Sequence, residues 1–195
     1  MRRAAFSLIE LLIVAALLLI LTTMYWGSSS GRRKRSLQAD CQQNLQKLFI
    51  AMQIYATDHS GKFPVVTGAR TSEDALDPLV PHYTVDTSLF ICPGSDDAAL
   101  PSGDSLRGHK ISYAYYMGRL ATDSTEVLVT DRQVDTLSKQ VGQPLFSSTG
   151  KPPGNNHQKE GGNLMFGDGH VDASPPSASI SLPLSQAIVL LNPKP

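Results

Sequence analysis

FSLIELLIVAALLLILTTMYW, residues 6–26, is the stretch from which the rest of the chain is read. It holds a single charged residue, Glu10. As a helix rising about 1.5 Å per residue it would be roughly 31 Å long, enough to cross a hydrocarbon core. Secretory signal peptides carry a shorter apolar core, about 7–15 residues, followed by an A-x-A-like cleavage site, and no such site follows here. The segment therefore reads as a membrane helix that stays with the protein. In a chain of 195 residues it leaves room for one soluble domain of ordinary size. A carboxylate deep in such a helix costs about 2.5–3.5 kcal/mol, and less near the interface. Glu10 must either reach water or be neutralised by a partner.

Outward from the helix, both flanks are basic. Arg2 and Arg3 precede it, and Arg32, Arg33, Lys34 and Arg35 follow it, so charge alone does not set its orientation. Seventeen basic and seventeen acidic residues balance over the whole chain, which offers no global handle for nucleic acid. The two cysteines, Cys41 and Cys92, both lie beyond the helix. In an extracytoplasmic domain a single pair is most simply a disulfide; in the cytoplasm both are free thiols.

GSSSG, residues 27–31, interrupts helix propensity and predicts a kink or short joint. Leu37, Cys41, Leu45, Leu48, Met52 and Tyr55 then recur at steps of three and four, predicting an amphipathic helix over 37–55 that Gly61 and Pro64 end. Residues 65–110 are rich in Gly, Pro, Ser and Asp and predict an irregular connection with at most short strands or helical turns, including the apolar run SLFIC. Strands are predicted within 111–118, 125–132 and 163–172. Gly167-Asp168-Gly169 marks a hairpin in the last of these. The element type of LSQAIVLL, residues 184–191, is left open. A long N-terminal helix followed by a small antiparallel sheet is an α+β arrangement.

The short basic leader, Phe6, Glu10 and the unbroken apolar helix together resemble the N-terminus of type IV prepilins and type II secretion pseudopilins. The resemblance implies a leader over 1–5, cut between Ala5 and Phe6 by a prepilin peptidase, and N-methylation of Phe6. The family usually has Gly before the cut, where this chain has Ala5. It also implies a pilin-like fold, an assembly helix over 6–26, a basic Gly/Ser-rich joint over 27–36 and an extracytoplasmic globular domain over 37–195. The N-terminus would then be cytoplasmic, at the inner membrane or in a filament. Implied partners are the peptidase, other pilin or pseudopilin subunits and the lipid bilayer; no nucleic acid is expected. Cleavage creates an α-amine on Phe6, one helical turn from Glu10, able to pair with it within or between subunits.

A second resemblance covers most of the chain. CQQNLQKLFIAMQIYATDHSGKFP, FICPGSD, ISYAYYMG, EVLVTDR and NHQKEGGNLMFGDGHVD look like the prepilin-type proteins abundant in planctomycetes. Those carry a histidine, nine residues and then Asp-Gly; here ten residues separate His157 from Asp168-Gly169. No activity is attached to that signature. With the domain outside the cytoplasm, a Cys41–Cys92 disulfide would close a loop of about fifty residues, worth about 3–4.5 kcal/mol in the chain-entropy picture.

Asp168, His170 and Asp172 are the candidate ligands should an ion bind near the hairpin, but turn chemistry accounts for Gly167 to Gly169 without one, and no metal or cofactor is expected. The chain has no H-E-x-x-H and no P-loop. Cys41 with His59 as nucleophile and base is set aside, since a cysteine on an apolar helical stripe is usually core. The expectation is a structural subunit and no enzyme. The reading from another class is a membrane-anchored envelope binding module that uses the pilin N-terminus only for sorting, with residues 157–172 as its binding region.

Overall fold

A computed structural model describes residues 7–26 and 29–195, with side chains over 7–23 and from Arg35 onward. The chain divides into two units, Met1–Ser36 and Leu37–Pro195. In the first, helix α1 runs Leu8–Trp26. Leu8, Ile9, Leu11, Leu12, Ile13, Val14 and Leu17–Leu21 are all exposed, so the helix is apolar all round rather than on one stripe. Its two threonines turn inward on the backbone: the hydroxyls of Thr22 and Thr23 donate to the carbonyls of Leu19 (2.9 Å) and Ile20 (2.8 Å). Among the described residues no helix is long and apolar enough to cross a membrane, the described side chains of α1 ending at Thr23.

Helix α2 runs Ser29–Asp58, so Ser29, Ser30, Gly31 and the basic cluster are helical, while Gly27 and Ser28 lie outside the described residues. The left-handed Ser60 and Gly61 end it, with the Gly61 N–H bonded to the Ala56 carbonyl at 2.8 Å. In the second unit Cys41, Leu45, Leu48, Met52 and Ala56 are buried while Ile50 and Ile54 on the opposite side are exposed. The predicted stripe is the buried face, with Leu37 and Tyr55 half-buried at its ends.

The sheet has five antiparallel strands, β1 (Tyr113–Met117), β2 (Val127–Asp131), β3 (Gly162–Phe166), β4 (Val171–Ser174) and β5 (Val189–Leu191), in the order β4-β3-β2-β1-β5. The arrangement is α+β. The C-terminal apolar stretch, open from sequence, supplies the edge strand β5 beside β1. Between helix and sheet, α3 (Ser72–Leu76) and 3-10 turns at Asp77–Leu79, Thr87–Phe90 and Leu106–Gly108 occupy the irregular region. SLFIC is thus mostly a 3-10 turn, because Asp86 caps it by accepting the Ser88 N–H at 3.1 Å.

Both faces of the sheet are covered. Tyr113, Tyr115, Val129 and Met165 join the α2 stripe, α3 and Phe90 in one core. Ala114, Tyr116, Val127, Leu164 and Leu190 pack with Leu145, Phe146, Ala178 and Leu182 in a second. A register shift between Val127 and Val129 puts Leu128 and Val129 together on the helix side. The central strands therefore read as continuous buried runs instead of alternating ones.

The two faces of α2 separate in a mutational test. Leu48→Ala should cost about 2–5 kcal/mol in chemical denaturation by leaving a cavity, whereas Ile50→Ala should stay within about 0.5 kcal/mol. Equal effects would contradict the observed helix rotation.

Candidate functional site

Four segments far apart in sequence converge at one buried point. Cys41 begins the buried stripe of α2, and Cys92 follows the 3-10 turn that ends at Phe90. Asp131 ends β2 on the same side as Val129, opposite Tyr113 of β1, and His157 sits in the turn before β3. A ligand-type atom from each of the four lies within 4.8 Å of every other. The His157 Nε2 is 3.3 Å from the Cys92 Sγ and 3.3 Å from the Asp131 Oδ2. The Cys41 Sγ is 3.5 Å from the Asp131 Oδ1 and 3.2 Å from the Tyr113 hydroxyl. The sulfurs of Cys41 and Cys92 are unjoined in the structure and lie within 4.8 Å of each other.

The surroundings hold these groups in place. Asp131 accepts from the Asn156 Nδ2 (2.7 Å), the Asn163 backbone N–H (2.7 Å) and the Asn163 Nδ2 (3.1 Å). Asn156 also donates to the Ser112 carbonyl at 2.7 Å, and Gln42 of α2 donates to the Asn163 Oδ1 at 3.2 Å. The Cys92 loop is pinned by Ser95, which bonds the Cys92 carbonyl (2.8 Å) and the Ser112 hydroxyl (2.9 Å). Arg132 continues the brace through Asp97 and the Ile111 carbonyl, both at 2.8 Å. Gly94 is needed for the close approach: a Cβ there would stand 2.6 Å from the His157 Nδ1.

Burial and charge act against each other here. Burial pushes the Asp131 carboxyl up, but His157, Asn156 and the Asn163 N–H outweigh it and leave it below its ordinary 3.8. Burial pushes His157 down, but its contacts with Asp131 and Cys41 win and raise it to about 10. Burial raises both thiols, Cys41 strongly, so in the metal-free protein they are neutral and poor nucleophiles. A Cys–His–Asp triad would use both ring nitrogens, one for the nucleophile and one for the carboxylate. Here Cys92 and Asp131 meet the same nitrogen, inside the core.

The residues singled out from sequence divide between two places. His157 joins Cys41 and Cys92, away from the hairpin whose signature it shares. Asp168-Gly169 is the β3–β4 turn: the Gly169 N–H bonds the Phe166 carbonyl (3.0 Å), and φ is +88°. A Cβ on Gly169 would stand 2.5 Å from the Phe49 ring, so glycine is required twice over. The His170 Nδ1 bonds the Asp168 Oδ1 at 2.5 Å and its Nε2 is 3.9 Å from the Asp172 Oδ2, all three side chains being exposed. Among the described residues, the buried cluster is the group that could hold a metal ion, and these three do not form another. His59 lies past the end of α2, roughly 27 Å along the helix axis from Cys41, and stacks on Tyr55 at 3.8 Å. Asp131 was missed from sequence, because it lies within the strand predicted over 125–132 and no motif marks it there. Ala5 and Phe6 lie outside the described residues, and Glu10 stands in the first turn of α1.

Residues 1–26 match the prokaryotic N-terminal methylation motif. No curated protein and no solved structure matches the chain. The start of the chain is thus a prepilin-type segment, and the match does not extend to the α+β unit.

The ion pair makes stability depend on pH when a chelator keeps metals away. Below 6.5 the imidazole is protonated whether the chain is folded or unfolded, and the pair contributes fully; from 6.5 to about 10 only the folded state holds the proton, so stability falls as pH rises. Asp131 acts in the opposite sense, contributing above 3.8 and losing that contribution as pH falls below it. Denaturation from pH 6.5 to about 8, below the range in which unfolded thiols ionise, should show the decline in the native sequence and not in His157→Gln. A decline of the same size in that variant would refute the pairing.

Proposed function

We infer that the chain is a prepilin-like structural subunit of a type II secretion pseudopilus or a type IV pilus-like assembly. The match of residues 1–26 to the methylation motif carries this reading. A prepilin peptidase removes residues 1–5, the new amine of Phe6 is methylated, and the protein is held at the inner membrane by its apolar helix. The all-round exposure of leucine and isoleucine on α1 supports a segment surrounded first by lipid and then by other such helices. No water is available there to solvate Glu10, so its carboxylate needs a cationic partner.

That partner is the amine released at Phe6 of the same or a neighbouring subunit. Pairing between subunits offsets the desolvation of both groups and sets the axial stagger of adjacent helices. Removal of Arg2 and Arg3 with the leader frees the N-terminus of its cytoplasmic charge anchor and eases extraction from the bilayer. The pilin-like unit over 37–195 then decorates the outside of the filament.

Mass spectrometry of the mature protein should find a chain beginning at methylated Phe6; an intact Met1 would sink this reading. In cells, Glu10→Ala should lower cross-linking between pilin helices through residues 6–26 by about tenfold or more, as loss of a desolvated charge pair implies. Unchanged cross-linking would remove Glu10 from assembly.

A further inference from the structure

We propose that Cys41, Cys92, Asp131 and His157 form a closed structural site for a zinc ion. The inference concerns the unit over 37–195 and stands independently of how the N-terminus is processed. Tetrahedral zinc with bonds of about 2.3 Å to sulfur and about 2.0–2.1 Å to nitrogen and oxygen keeps neighbouring ligand atoms about 3.3–3.8 Å apart. With the Asp131 Oδ2 as the ligand atom, the Cys92–His157 and His157–Asp131 separations of 3.3 Å match edges of such a tetrahedron, and the Cys41–Asp131 separation of 3.9 Å lies just outside that range. The remaining pairs stay within 4.8 Å.

The bonding around His157 points the same way. Its Nε2 has three neighbours at 3.3 Å, the Cys92 Sγ, the Asp131 Oδ2 and the Asn163 Nδ2. One ring nitrogen carries at most one hydrogen and can serve one acceptor well, and 3.3 Å is beyond a normal N–H···O length. A shared ion gives sulfur, oxygen and nitrogen a common reason to converge.

The second layer is also what zinc ligands need. The Gly94 N–H points at the Cys92 Sγ (3.4 Å) and the Tyr113 hydroxyl lies 3.2 Å from the Cys41 Sγ, a donor for each thiolate. Amides of Asn156 and Asn163 orient the carboxylate. A disulfide would use the two sulfurs and leave unexplained why His157 and Asp131 face them. Two thiolates, an imidazole and a carboxylate in tetrahedral array select zinc over harder cations such as magnesium or calcium. All four ligands are buried, with no open coordination position, so the ion's role is structural. Zinc takes the place of the thiol protons of Cys41 and Cys92 and the Nε2 proton of His157, which pass to solvent, so affinity weakens as pH falls.

The full-length chain, carrying no polyhistidine tag and purified in detergent without chelator under argon, should contain about one zinc per chain by elemental mass spectrometry. Exchange with cobalt should give the visible absorption of a tetrahedral ion with thiolate charge-transfer bands. Cys92→Ser and His157→Gln should each lower zinc content about tenfold or more, while His170→Gln keeps it. Asn163→Ala should weaken zinc binding about 10–100-fold. Since a ligand variant could fail to fold, the native sequence provides the second arm: chelation should lower its thermal midpoint and zinc, not magnesium, should restore it. A metal-free chain with two titratable thiols that takes up no cobalt would overturn the proposal. So would a chain isolated with Cys41 and Cys92 joined as a disulfide.

Discussion

The α+β unit depends on one buried carboxylate. Asp131 ends the central strand β2 on the helix-facing side of the sheet, where an unpaired charge would be prohibitive. Its oxygens are met by Asn156, Asn163 and His157, and Cys41 of α2 stands against them. The partners come from α2, from the turn that holds Asn156 and His157, and from the start of β3. Satisfying Asp131 therefore also fixes the turn before β3 and the position of α2 over the sheet, and His157 extends the same constraint to the loop after Phe90. A hydrophobic residue at 131 could be buried more simply, but it would not demand these partners in this geometry.

The same constraint explains the extent of irregular chain that remains well packed. One face of the sheet is covered by α2, α3 and the 3-10 turns, and the other by segments carrying Leu145, Phe146, Ala178 and Leu182. Irregular segments cannot satisfy their backbone groups by periodic hydrogen bonds, so they bond to side chains and to strand ends. Ser95 and Arg132 do this beside Cys92, donating to the Cys92 and Ile111 carbonyls. Glu73 does it elsewhere, accepting the backbone N–H groups of Ile111 (3.1 Å) and Lys194 (3.0 Å). Polar residues in a chain of modest hydrophobicity thus serve as internal braces.

The N-terminal segment follows different physics. Among the described side chains of α1, Glu10 is the charged one, and both threonine hydroxyls are satisfied by carbonyls of the same helix. It needs an apolar surrounding, not a particular partner surface. An apolar surface all round is compatible with the methylation-motif match over residues 1–26.

Much of this was legible in local pattern. The apolar run of 6–26, the stripe from Cys41 to Met52, the Gly61 stop and the Gly167–Gly169 hairpin all follow from periodicity or backbone freedom, which act over a few residues. The edge strand β5 and the 3-10 turn at Thr87–Phe90 were not, because short apolar runs take their form from what they pack against. The site lay further out of reach. The family resemblance groups His157 with Asp168-Gly169, and no motif marks Asp131. Residues 41, 92, 131 and 157 meet only when helix, loop, strand end and turn are stacked, and no local rule encodes that convergence. By itself the sequence determined a prepilin-type beginning and the helix and hairpin that follow it. Tertiary structure alone decided which buried polar groups share one point, since burial and charge compensation are properties of the packed whole.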